Sequence, residues 1–446
     1  MTRATIFALA SARGRAGVAV VRLSGPGAGA ALAALAGPRP AARRAVRRLL
    51  TDPDSAEPID DALVLWMPGP GSFTGEDVVE LHVHGSPAVL AALTRVLGAM
   101  PGLRPAEAGE FTRRAFEAGR MDLSAAEGLA DLIAAETEAQ RRLALRQMGG
   151  ELARRHEAWR QRLIRGLARV EAVLDFPDEG LDDEVVAKAM PDLVALAAEL
   201  RDALEGGGRG ERVRDGFRVA IVGPPNAGKS SLLNRLARRE AAIVSTVAGT
   251  TRDVIEVAMD LGGYPVLLAD TAGLRETGDA VEIEGVRRAR ARLAEADLGL
   301  LVLDATEWPA PEDPVWRLQG PAMLVLANKT DRICAPVAAP IASGCGPVLT
   351  VSALTGEGLD GLLSALTDRA ARALDVGPAP AITRARHRFA VTQALAALDR
   401  GLAGGVALEL MAEDLRLSAR ALGRITGAVD VEDVLDVVFR DFCIGK

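Results

Sequence analysis

The sequence predicts a multidomain fold, with an α+β N-terminal domain, an all-α helical bundle, and an α/β domain inserted into that bundle. The chain has 446 residues, a length typical of two to three domains. Strand and helix patterns mix up to residue 118, helical patterns alone follow to residue 213, and strands reappear between residues 214 and 376. Helical patterns return over residues 377–446. Insertion of the α/β domain into one bundle is the simplest arrangement that fits this order.

The N-terminal domain is predicted over residues 1–118. Apolar runs at residues 4–12, 18–23, 62–67 and 78–83 indicate its strands. A helix is expected after Ser86, because Pro87 suits the first helical position, where a missing N–H costs nothing. Strands and helices that mix without regular βαβ alternation favour a separate α+β domain.

The helical bundle is predicted in two parts, residues 119–213 and 377–446. Ser124 and Glu127 match a capping box, which predicts a helix start at this point. The glycine-rich residues 206–210 predict a flexible joint before the α/β domain, and residues 377–380 close that domain. Gly427 is expected to interrupt the last helices.

The most informative stretch of the α/β domain is residues 223–230, Gly-Pro-Pro-Asn-Ala-Gly-Lys-Ser. It lies between a strand pattern and a helical pattern, the context that the phosphate-binding motif G-x-x-x-x-G-K-S requires. A glycine at each end lets the backbone curl around a phosphate, with a helix N-terminus behind it. Lys229 is expected to reach the β- and γ-phosphates, and the Ser230 hydroxyl to ligate Mg²⁺. A plain glycine-rich turn would leave lysine and serine at these offsets unexplained.

Three further motifs each follow an apolar strand pattern. Residues 270–273, Asp-Thr-Ala-Gly, place a carboxylate where it can hold the metal through water. Residues 328–331, Asn-Lys-Thr-Asp, end in an aspartate that can accept two hydrogen bonds from guanine, a pair that adenine does not supply. Ser352 and Ala353 follow the third strand, where a backbone N–H can contact the guanine oxygen. Four motifs in this order predict a Ras-like P-loop domain that binds and hydrolyses GTP.

Lysine usage supports the same interpretation. The chain has 53 lysines and arginines together, and the lysines are only Lys188, Lys229, Lys329 and Lys446. Lysine is a compact ammonium on a flexible stem and is not interchangeable with arginine in a tight site. A chain that uses arginine almost everywhere therefore has lysine in the phosphate motif, in the guanine motif and at its last residue.

The segment between the first two motifs is polar and contains Thr251, the candidate switch ligand of Mg²⁺. Leu274 stands where many GTPases have the glutamine that orients the attacking water, and leucine cannot do this. The candidates to orient that water instead are acidic residues downstream, namely Glu276, Asp279, Glu282 and Glu284.

Charge and cysteine content limit the class of protein. The net charge of −7 argues against a general affinity for nucleic acid, although arginine is dense at residues 39–48 and 141–169. A solvated helix face is the simpler interpretation of each run, and a phosphate-backbone partner is the alternative. Cys334, Cys345 and Cys443 show neither metal spacing nor a disulfide framework, which predicts a cytoplasmic location. His82 and His84 share one strand face, where hydrogen bonding is favoured over metal ligation.

Taken together, these residues resemble the MnmE (TrmE) family of tRNA-modification GTPases. The resemblance rests on Asn226 in the phosphate motif, on residues 249–253 and 270–275, and on the terminal Phe442-Cys443-Ile444-Gly445-Lys446. In the N-terminal domain, Gly25-Pro26 and residues 73–81 and 109–112 match as well. The resemblance therefore spans the whole chain.

The resemblance implies a GTPase activated by K⁺, which takes the place of an arginine finger when two nucleotide domains meet. The implied K⁺ ligands are Asn226, Ser245, Val247 and Thr250, and the Mg²⁺ ligands are Ser230 and Thr251. The candidate catalytic residues are Lys229, Asp270, Glu282, which would position the attacking water, and Cys443. The residues expected at GTP are Asn226, Ala227, Gly228, Lys229, Ser230, Ser231, Ser245, Thr246, Val247, Ala248, Gly249, Thr250, Thr251, Asp270, Thr271, Ala272, Gly273, Asn328, Lys329, Asp331, Ser352 and Ala353.

The resemblance also implies that the N-terminal domain forms a homodimer and binds tetrahydrofolate, as a 5-formyl or 5,10-methylene derivative that donates one carbon. The implied folate contacts are Arg22, Glu80, Arg120, where the family usually has lysine, and Lys446. Cys443 is either a reactive thiol or a buried apolar residue.

The implied partners are tRNA and an MnmG (GidA)-type flavoprotein, which carries FAD and joins the chain in a heterotetramer or larger complex. The implied reaction adds an aminomethyl or carboxymethylaminomethyl group to C5 of the wobble uridine, position 34 of the tRNA. The alternative is a GTPase switch that binds RNA in ribosome assembly.

Overall fold

The computed structural model describes residues 3–175, 184–206, 208–239, 241–243, 256–270, 290–307, 323–333, 348–375 and 380–429, together with residues 435, 438, 439, 442 and 445. The chain divides into two compact units. One consists of Met1–Ala130 with Leu422–Lys446, and the other is Asp131–Ala421. The fold class predicted from the sequence is confirmed, whereas the predicted domain boundaries remain predictions.

The first unit contains a six-stranded sheet in the order β3-β4-β5-β2-β1-β6. Only β1 and β6 pair in parallel, so the sheet lacks the βαβ alternation of the second unit. The strands are β1 (Thr5–Leu9), β2 (Ala16–Ser24), β3 (Val46–Thr51), β4 (Pro58–Met67), β5 (Val78–Gly85) and β6 (Leu103–Pro105). The helices of this unit whose full range is described are α1 (Ala28–Ala36), α2 (Pro87–Ala99), α3 (Glu110–Glu117) and the start of α4 (Leu123–Ala134).

One face of this sheet forms the core of the unit. Val79, Leu81 and Val83 of β5 are buried with side chains of α1 and α2. Because side chains alternate along a strand, Glu80 and His82 lie on the opposite face. Arg22 of β2 stands directly across from Glu80 in the β2–β5 register. The register therefore places two candidate folate contacts together, away from the core.

Residues near the C-terminus belong to the same unit. Phe439 and Phe442 are buried with Leu123 of α4, and their two ring centroids lie 5.5 Å apart. Gly445 adopts φ +104°, and a Cβ at this position would lie 2.1 Å from the carbonyl oxygen of Leu9. The backbone at Gly445 therefore packs closely against the end of β1.

Among the residues that the structure describes, the second unit contains most of the helices. They are α5 (Glu138–Met148), α6 (Glu151–Asp175), α7 (Glu184–Ala187), α8 (Met190–Gly206), α9 (Gly208–Asp215), α10 (Lys229–Leu236), α11 (Leu359–Leu374), α12 (Ala385–Gly401) and α13 (Leu408–Thr426), of which α13 runs on into the first unit. Helix α5 starts at a capping box formed by Thr137 and Gln140. Its residue Leu143 is buried in the core of the α/β sheet described next.

That sheet has six strands in the order β12-β11-β10-β7-β9-β8. The strands are β7 (Phe217–Val222), β8 (Glu256–Leu261), β9 (Tyr264–Asp270), β10 (Leu298–Asp304), β11 (Met323–Asn328) and β12 (Leu349–Thr350). All neighbouring pairs are parallel except β8 with β9. The carboxyl ends of the parallel strands meet at one edge, where ligands of such sheets bind.

The predicted flexible joint at residues 206–210 is wrong for the residues that the structure describes. Residues 208–215 form α9, which follows α8 after a single residue. A Cβ at Gly210 would lie 2.2 Å from the carbonyl oxygen of Ile382. Glycine here permits a close backbone approach within the helical part, not a hinge.

Two local predictions also need correction. Helix α4 is capped by Asp122, which accepts from the Ala125 amide at 2.9 Å, whereas Ser124 lies inside the helix and its hydroxyl contacts the Ile425 carbonyl. Arg47 and Arg48 lie on the edge strand β3 rather than on a helix face, and Arg47 pairs with Asp61. The second arginine run does lie on helices, α5 and α6, and Arg141 pairs there with Glu138.

Candidate functional site

The phosphate motif forms a loop between β7 and α10, as predicted. Gly223 (φ +151°) and Gly228 (φ +92°) both have backbone angles that favour glycine. A Cβ would lie 2.1 Å from the Val302 oxygen at Gly223 and 2.3 Å from Asn328 Nδ2 at Gly228. The two motif glycines are therefore required by conformation and by space.

Lys229 is the first residue of α10 and is buried. Its Nζ donates to the carbonyl oxygens of Gly223, at 2.9 Å, and Pro224, at 2.7 Å. The ammonium thus lies against the backbone of the loop. Ser230 and Ser231 follow in the first turn of α10 and are exposed.

Asn226 stands at the middle of this loop with φ +63°, one of the few non-glycine residues with positive φ in the described chain. Asparagine tolerates this region better than most side chains. Asn226 is exposed, while the next residue, Ala227, is buried. The loop therefore presents an amide side chain to solvent beside the phosphate-binding glycines.

The guanine motif begins at the end of β11. Asn328 is 1% exposed; its Nδ2 donates to the Ala227 carbonyl at 2.8 Å, and its Oδ1 accepts from the Ala353 amide at 3.0 Å. One buried side chain thus connects three predicted motifs. Asp331 accepts a hydrogen bond from the Ser352 hydroxyl at 2.5 Å, so the two predicted guanine contacts are adjacent.

These motifs line one cleft of about 390 Å³ that opens to solvent. Its walls include Gly228 and Ser231 on the phosphate side, and Lys329, Asp331 and Ala353 on the guanine side. Leu354 also lines the cleft and is 73% exposed. This apolar side chain carries no motif signal and was not among the predicted contacts, although it directly follows Ser352 and Ala353.

Asp304, the last residue of β10, was also missed by the sequence analysis. Its Oδ2 accepts from Lys329 Nζ at 2.6 Å, and its Oδ1 accepts from the Thr306 amide at 3.0 Å. Burial raises the pKa of this carboxyl, but the hydrogen bonds from Lys329 and Thr306 outweigh it, so the pKa lies below its ordinary value. Asp304 also follows an apolar strand pattern, but this alone is a weak indication of a functional role. The sequence does not show that its carboxylate pairs with Lys329.

Several predicted residues lie outside the described residues, or only their backbone is described. Asp270 ends β9, and its Cα lies across from that of Ile221 in the sheet. The residues outside are Ser245, Thr246, Val247, Ala248, Gly249, Thr250, Thr251, Thr271, Ala272, Gly273, Glu282, Cys443 and Lys446, together with the alternative carboxylates Glu276, Asp279 and Glu284. Their predicted roles remain predictions.

In the first unit, Arg22 and Glu80 form an ion pair. Arg22 donates from Nε at 3.0 Å and from Nη2 at 2.8 Å, both to Glu80 Oε1. The rings of Phe73 and Phe111 each lie 5.9 Å from Arg22 Cζ, a distance at which a cation and a ring attract each other. The structure therefore brings two predicted folate contacts together beside two aromatic residues that were not predicted.

Arg120, the third predicted folate contact within the described chain, is exposed. It lies near the loop that carries Phe73, since a Cβ at Gly75 would be 3.7 Å from Arg120 Cγ. Arg22 and Arg120 thus border the same loop, from Ser72 to Asp77.

A buried charge network supports that loop. Arg114 is 1% exposed and donates to Glu76, at 3.0 Å, and to Glu110, at 2.8 Å. Arg104 also binds Glu110. Burial raises the pKa of Glu110, but the hydrogen bonds from Arg104, the Glu107 amide and Arg114 prevail and lower it to about 2.

The two strand histidines have hydrogen-bonding neighbours. His82 Nε2 lies 3.3 Å from Glu80 Oε2, and His84 Nδ1 lies 2.8 Å from Asp60 Oδ1. Within the described part of the chain, no group of three or more His, Cys, Asp or Glu side chains is placed to hold a metal ion. No helix among those residues is long and apolar enough to cross a membrane.

Comparison with known proteins gives matches along the whole chain. The family model described as the GTP-binding protein TrmE N-terminus matches residues 5–120, and the MnmE helical domain model matches residues 123–443. The chain is 59% identical to the tRNA modification GTPase MnmE of Rhodospirillum rubrum over 100% of both proteins. The protein of the same name from Parvibaculum lavamentivorans is 56% identical, over 99% of this chain and 100% of that one. A crystal structure of an Era variant from Aquifex aeolicus bound to GDP·AlF₄⁻ is 31% identical over 34% of this chain and 56% of that chain, with a TM-score of 0.28.

Proposed function

The chain belongs to the MnmE (TrmE) family of tRNA modification GTPases, and from this premise we propose that K⁺ activates its GTP hydrolysis to drive modification of the wobble uridine. Membership of the family makes the chain a GTP hydrolase that acts in tRNA modification and binds GTP with Mg²⁺. The monovalent cation, the folate donor and the flavoprotein partner are the parts that we propose.

The K⁺ proposal rests on the position and conformation of Asn226. It is exposed, holds a left-handed conformation, and lies within three residues of Lys229 in the phosphate loop. An amide oxygen is a suitable ligand for K⁺, which proteins bind through carbonyl-type oxygens. Oxygen ligands from Ser245, Val247 and Thr250 would complete the donor set. Positive charge beside the phosphates stabilises the charge that develops in phosphoryl transfer, as an arginine finger does elsewhere.

The remaining nucleotide chemistry follows the motif positions. Lys229 would bind the β- and γ-phosphates, while Ser230 and Thr251 would ligate Mg²⁺ and Asp270 would hold it through water. Glu282 would position the attacking water. GTP hydrolysis would then drive opening and closing of paired nucleotide domains rather than the carbon chemistry.

GTP turnover in K⁺ and in Na⁺ tests this proposal on the full chain. We expect turnover to be faster in K⁺ by at least about tenfold, which corresponds to about 1.4 kcal/mol of transition-state stabilisation. Asn226→Ala should reduce the K⁺ rate to the Na⁺ rate. Gln161→Ala is the control, because it also removes an amide side chain, but from α6, where Gln161 donates to Glu157 and does not line the cleft. Equal rates of the wild type in the two ions would contradict K⁺ activation.

The folate proposal rests on the Arg22–Glu80 pair. A reduced pterin presents N–H donors on one edge, which suit the Glu80 carboxylate, and folate carries carboxylates that suit arginine. Phe73 and Phe111 offer apolar ring surface next to Arg22. Arg120 and Lys446 would add positive charge. The site would hold the tetrahydrofolate derivative as the donor of the one-carbon unit.

Calorimetric titration of the full chain with 5-formyltetrahydrofolate tests this site. Glu80→Gln and Arg22→Ala should each weaken binding by at least about tenfold, because each removes a charged hydrogen-bond partner. Arg47→Ala is the control, since Arg47 lies on β3 of the same sheet with its side chain 80% exposed. Unchanged affinity in both site variants would exclude this pair as the folate contact.

We further propose that the chain forms a homodimer and works with an FAD-carrying MnmG-type flavoprotein on tRNA. The alternative, a GTPase switch in ribosome assembly, is less favoured because the chain resembles tRNA modification GTPases from end to end. Incubation of tRNA with the chain, the flavoprotein, folate, GTP and K⁺, followed by mass spectrometry of its nucleosides, distinguishes the two. A C5-aminomethyl-type uridine supports the proposal, whereas unmodified tRNA together with cosedimentation with ribosomal subunits supports the alternative.

A further inference from the structure

Asp304 connects the end of β10, which carries no nucleotide-binding motif, to Lys329 of the guanine motif. It is the last residue of β10, and its Cα pairs in register with Asn328 at the end of β11. Its Oδ1 accepts from both the amide, at 3.0 Å, and the hydroxyl, at 2.7 Å, of Thr306. Its Oδ2 is left to accept from Lys329 Nζ, at 2.6 Å. The carboxylate is thus held by its own turn and directed at the lysine of the guanine motif.

Lys329 lies at the edge of the nucleotide cleft. Its backbone has φ +66°, and its Nζ–Asp304 pair is largely shielded, since the two side chains are only 21% and 12% exposed. A pair that is partly removed from water is stronger and less screened by salt than one on the surface. Lysine has a long flexible side chain. Without a partner, this side chain would have to lose conformational entropy when the nucleotide binds.

We propose that Asp304 is a positioning residue for guanine-nucleotide binding, which fixes Lys329 at the edge of the cleft before the nucleotide arrives. Asn328, one residue earlier, is held by Ala227 and Ala353, so Asp304 supplies the corresponding restraint for the lysine. Ordering the side chain in advance lowers the entropic cost of binding. This role depends on the GTPase activity of the family and not on K⁺ or folate.

The variant Asp304→Asn isolates this pair. Asparagine keeps the shape of the side chain, and its Oδ1 can still accept from Thr306. Its amide N–H₂ group then faces the ammonium of Lys329, so that two donors meet. We expect the affinity for a fluorescent GDP analogue to fall by about tenfold. The dissociation rate should account for most of this change, as it does for most variants of one binding site. KM for GTP should rise to a similar extent, while kcat at saturating GTP and K⁺ stays within about twofold.

A double-mutant cycle shows whether Asp304 acts through Lys329. Asp304→Asn should cause little further loss in a Lys329→Ala background, because the group that it positions is already absent. Asp260→Asn is the matched control: Asp260 closes a turn of β8–β9 by accepting from the Gly263 amide, in the same domain but away from the cleft. It should bind GDP as the wild type does.

Two results would overturn the proposal. One is an affinity of Asp304→Asn for the GDP analogue within about twofold of the wild type. The other is full additivity of Asp304→Asn and Lys329→Ala, which would mean that Asp304 contributes to the fold independently of the lysine.

Discussion

Asn328 is joined to Ala227 by a hydrogen bond of 2.8 Å from its side-chain amide to the backbone carbonyl. Ala227 belongs to the phosphate loop and Asn328 to the guanine motif, 101 residues later in the chain. The other end of the same amide accepts from the Ala353 backbone at 3.0 Å. The phosphate and guanine sides of the nucleotide site are therefore held at a fixed separation by one buried side chain.

Asn328→Ala should weaken both GDP and GTP by at least about tenfold. The variant leaves the Ala227 carbonyl and the Ala353 amide without this partner, and each buried unsatisfied group costs about 1–3 kcal/mol. Equilibrium binding of fluorescent GDP and GTP analogues checks the affinity, with Gln161→Ala on α6 as the control. Binding within about twofold of the wild type would show that the loops keep their separation without Asn328.

Gly228→Ala should abolish nucleotide binding at micromolar concentrations. The new Cβ would meet Asn328 Nδ2 at 2.3 Å, and φ is +92°, a region that costs a non-glycine residue about 1–3 kcal/mol. Gly361→Ala is the control, since a Cβ at Gly361 in α11 meets nothing within 4 Å. That variant should bind normally and gain about 0.5–1 kcal/mol in stability. Retained GDP binding by Gly228→Ala would contradict the requirement for glycine.

The sheet of the nucleotide domain was predictable from the sequence because its strands are short apolar runs that end in polar motifs. The strand pattern before the phosphate motif is β7, and the pattern before residues 328–331 is β11, which includes Asn328 as its last residue. The sequence also showed that each motif follows a strand, and parallel strands bring such ends together at one edge of the sheet. These features are local in sequence, or follow from the parallel arrangement of strands.

What the sequence did not predict depends on contacts between distant residues. The glycine-rich stretch that contains Gly210 is typical of a flexible joint. In the structure, glycine is needed there because the backbone of residue 210 lies close to the Ile382 carbonyl oxygen. Ser124 fits a capping box, yet Asp122 caps the helix because Ser124 is turned towards Ile425. Asp304 has no motif, and only the β10–β11 register places it beside the guanine motif. Tertiary packing decides each of these cases.

Arg114→Leu should destabilise the first unit strongly. The side chain is buried and donates to Glu76, Glu110 and the Ala4 carbonyl, so its loss leaves two carboxylates with one charged partner fewer. Removing one member of a buried ion pair costs about 3–5 kcal/mol. Pulse proteolysis in urea measures the loss, and Arg47→Leu, which removes an exposed pair, should show no change. Equal urea midpoints for Arg114→Leu and the wild type would contradict a structural role for the network.

Gly445→Ala should displace the backbone at residue 445 from the end of β1. The added Cβ would lie 2.1 Å from the Leu9 carbonyl oxygen, and backbone atoms on both sides leave little room to adjust. Faster release of terminal residues by carboxypeptidase checks the displacement, and GTP turnover should stay unchanged. Gly404→Ala is the control, because a Cβ at Gly404 meets nothing within 4 Å. Identical digestion of wild type and Gly445→Ala would show that the terminal segment does not depend on this contact.

Acidification below pH 6.5 should loosen the helical part of the second unit through His156. The ring is 1% exposed, and burial, followed by the nearby His387, lowers its pKa from 6.5 to about 3. Between pH 6.5 and about 3, His156 is therefore protonated in the unfolded chain and neutral in the native state. Stability falls as pH decreases through this window, by about 1.4 kcal/mol per pH unit once below 6.5, and is unaffected by this group above it.

His156→Leu should remove that part of the pH dependence, because leucine fills a similar apolar space and does not titrate. Hydrogen exchange of the α6 amides, corrected for the intrinsic chemical rate, measures the local opening free energy at pH 7.5 and 5.5. The wild type should lose about 1.4 kcal/mol more than the variant between these two values. Glu110, whose pKa is lowered to about 2, adds its own loss only below its ordinary value of 4.5 and in the other unit, so it does not interfere. An equal loss in both proteins would mean that His156 takes up its proton in the native state.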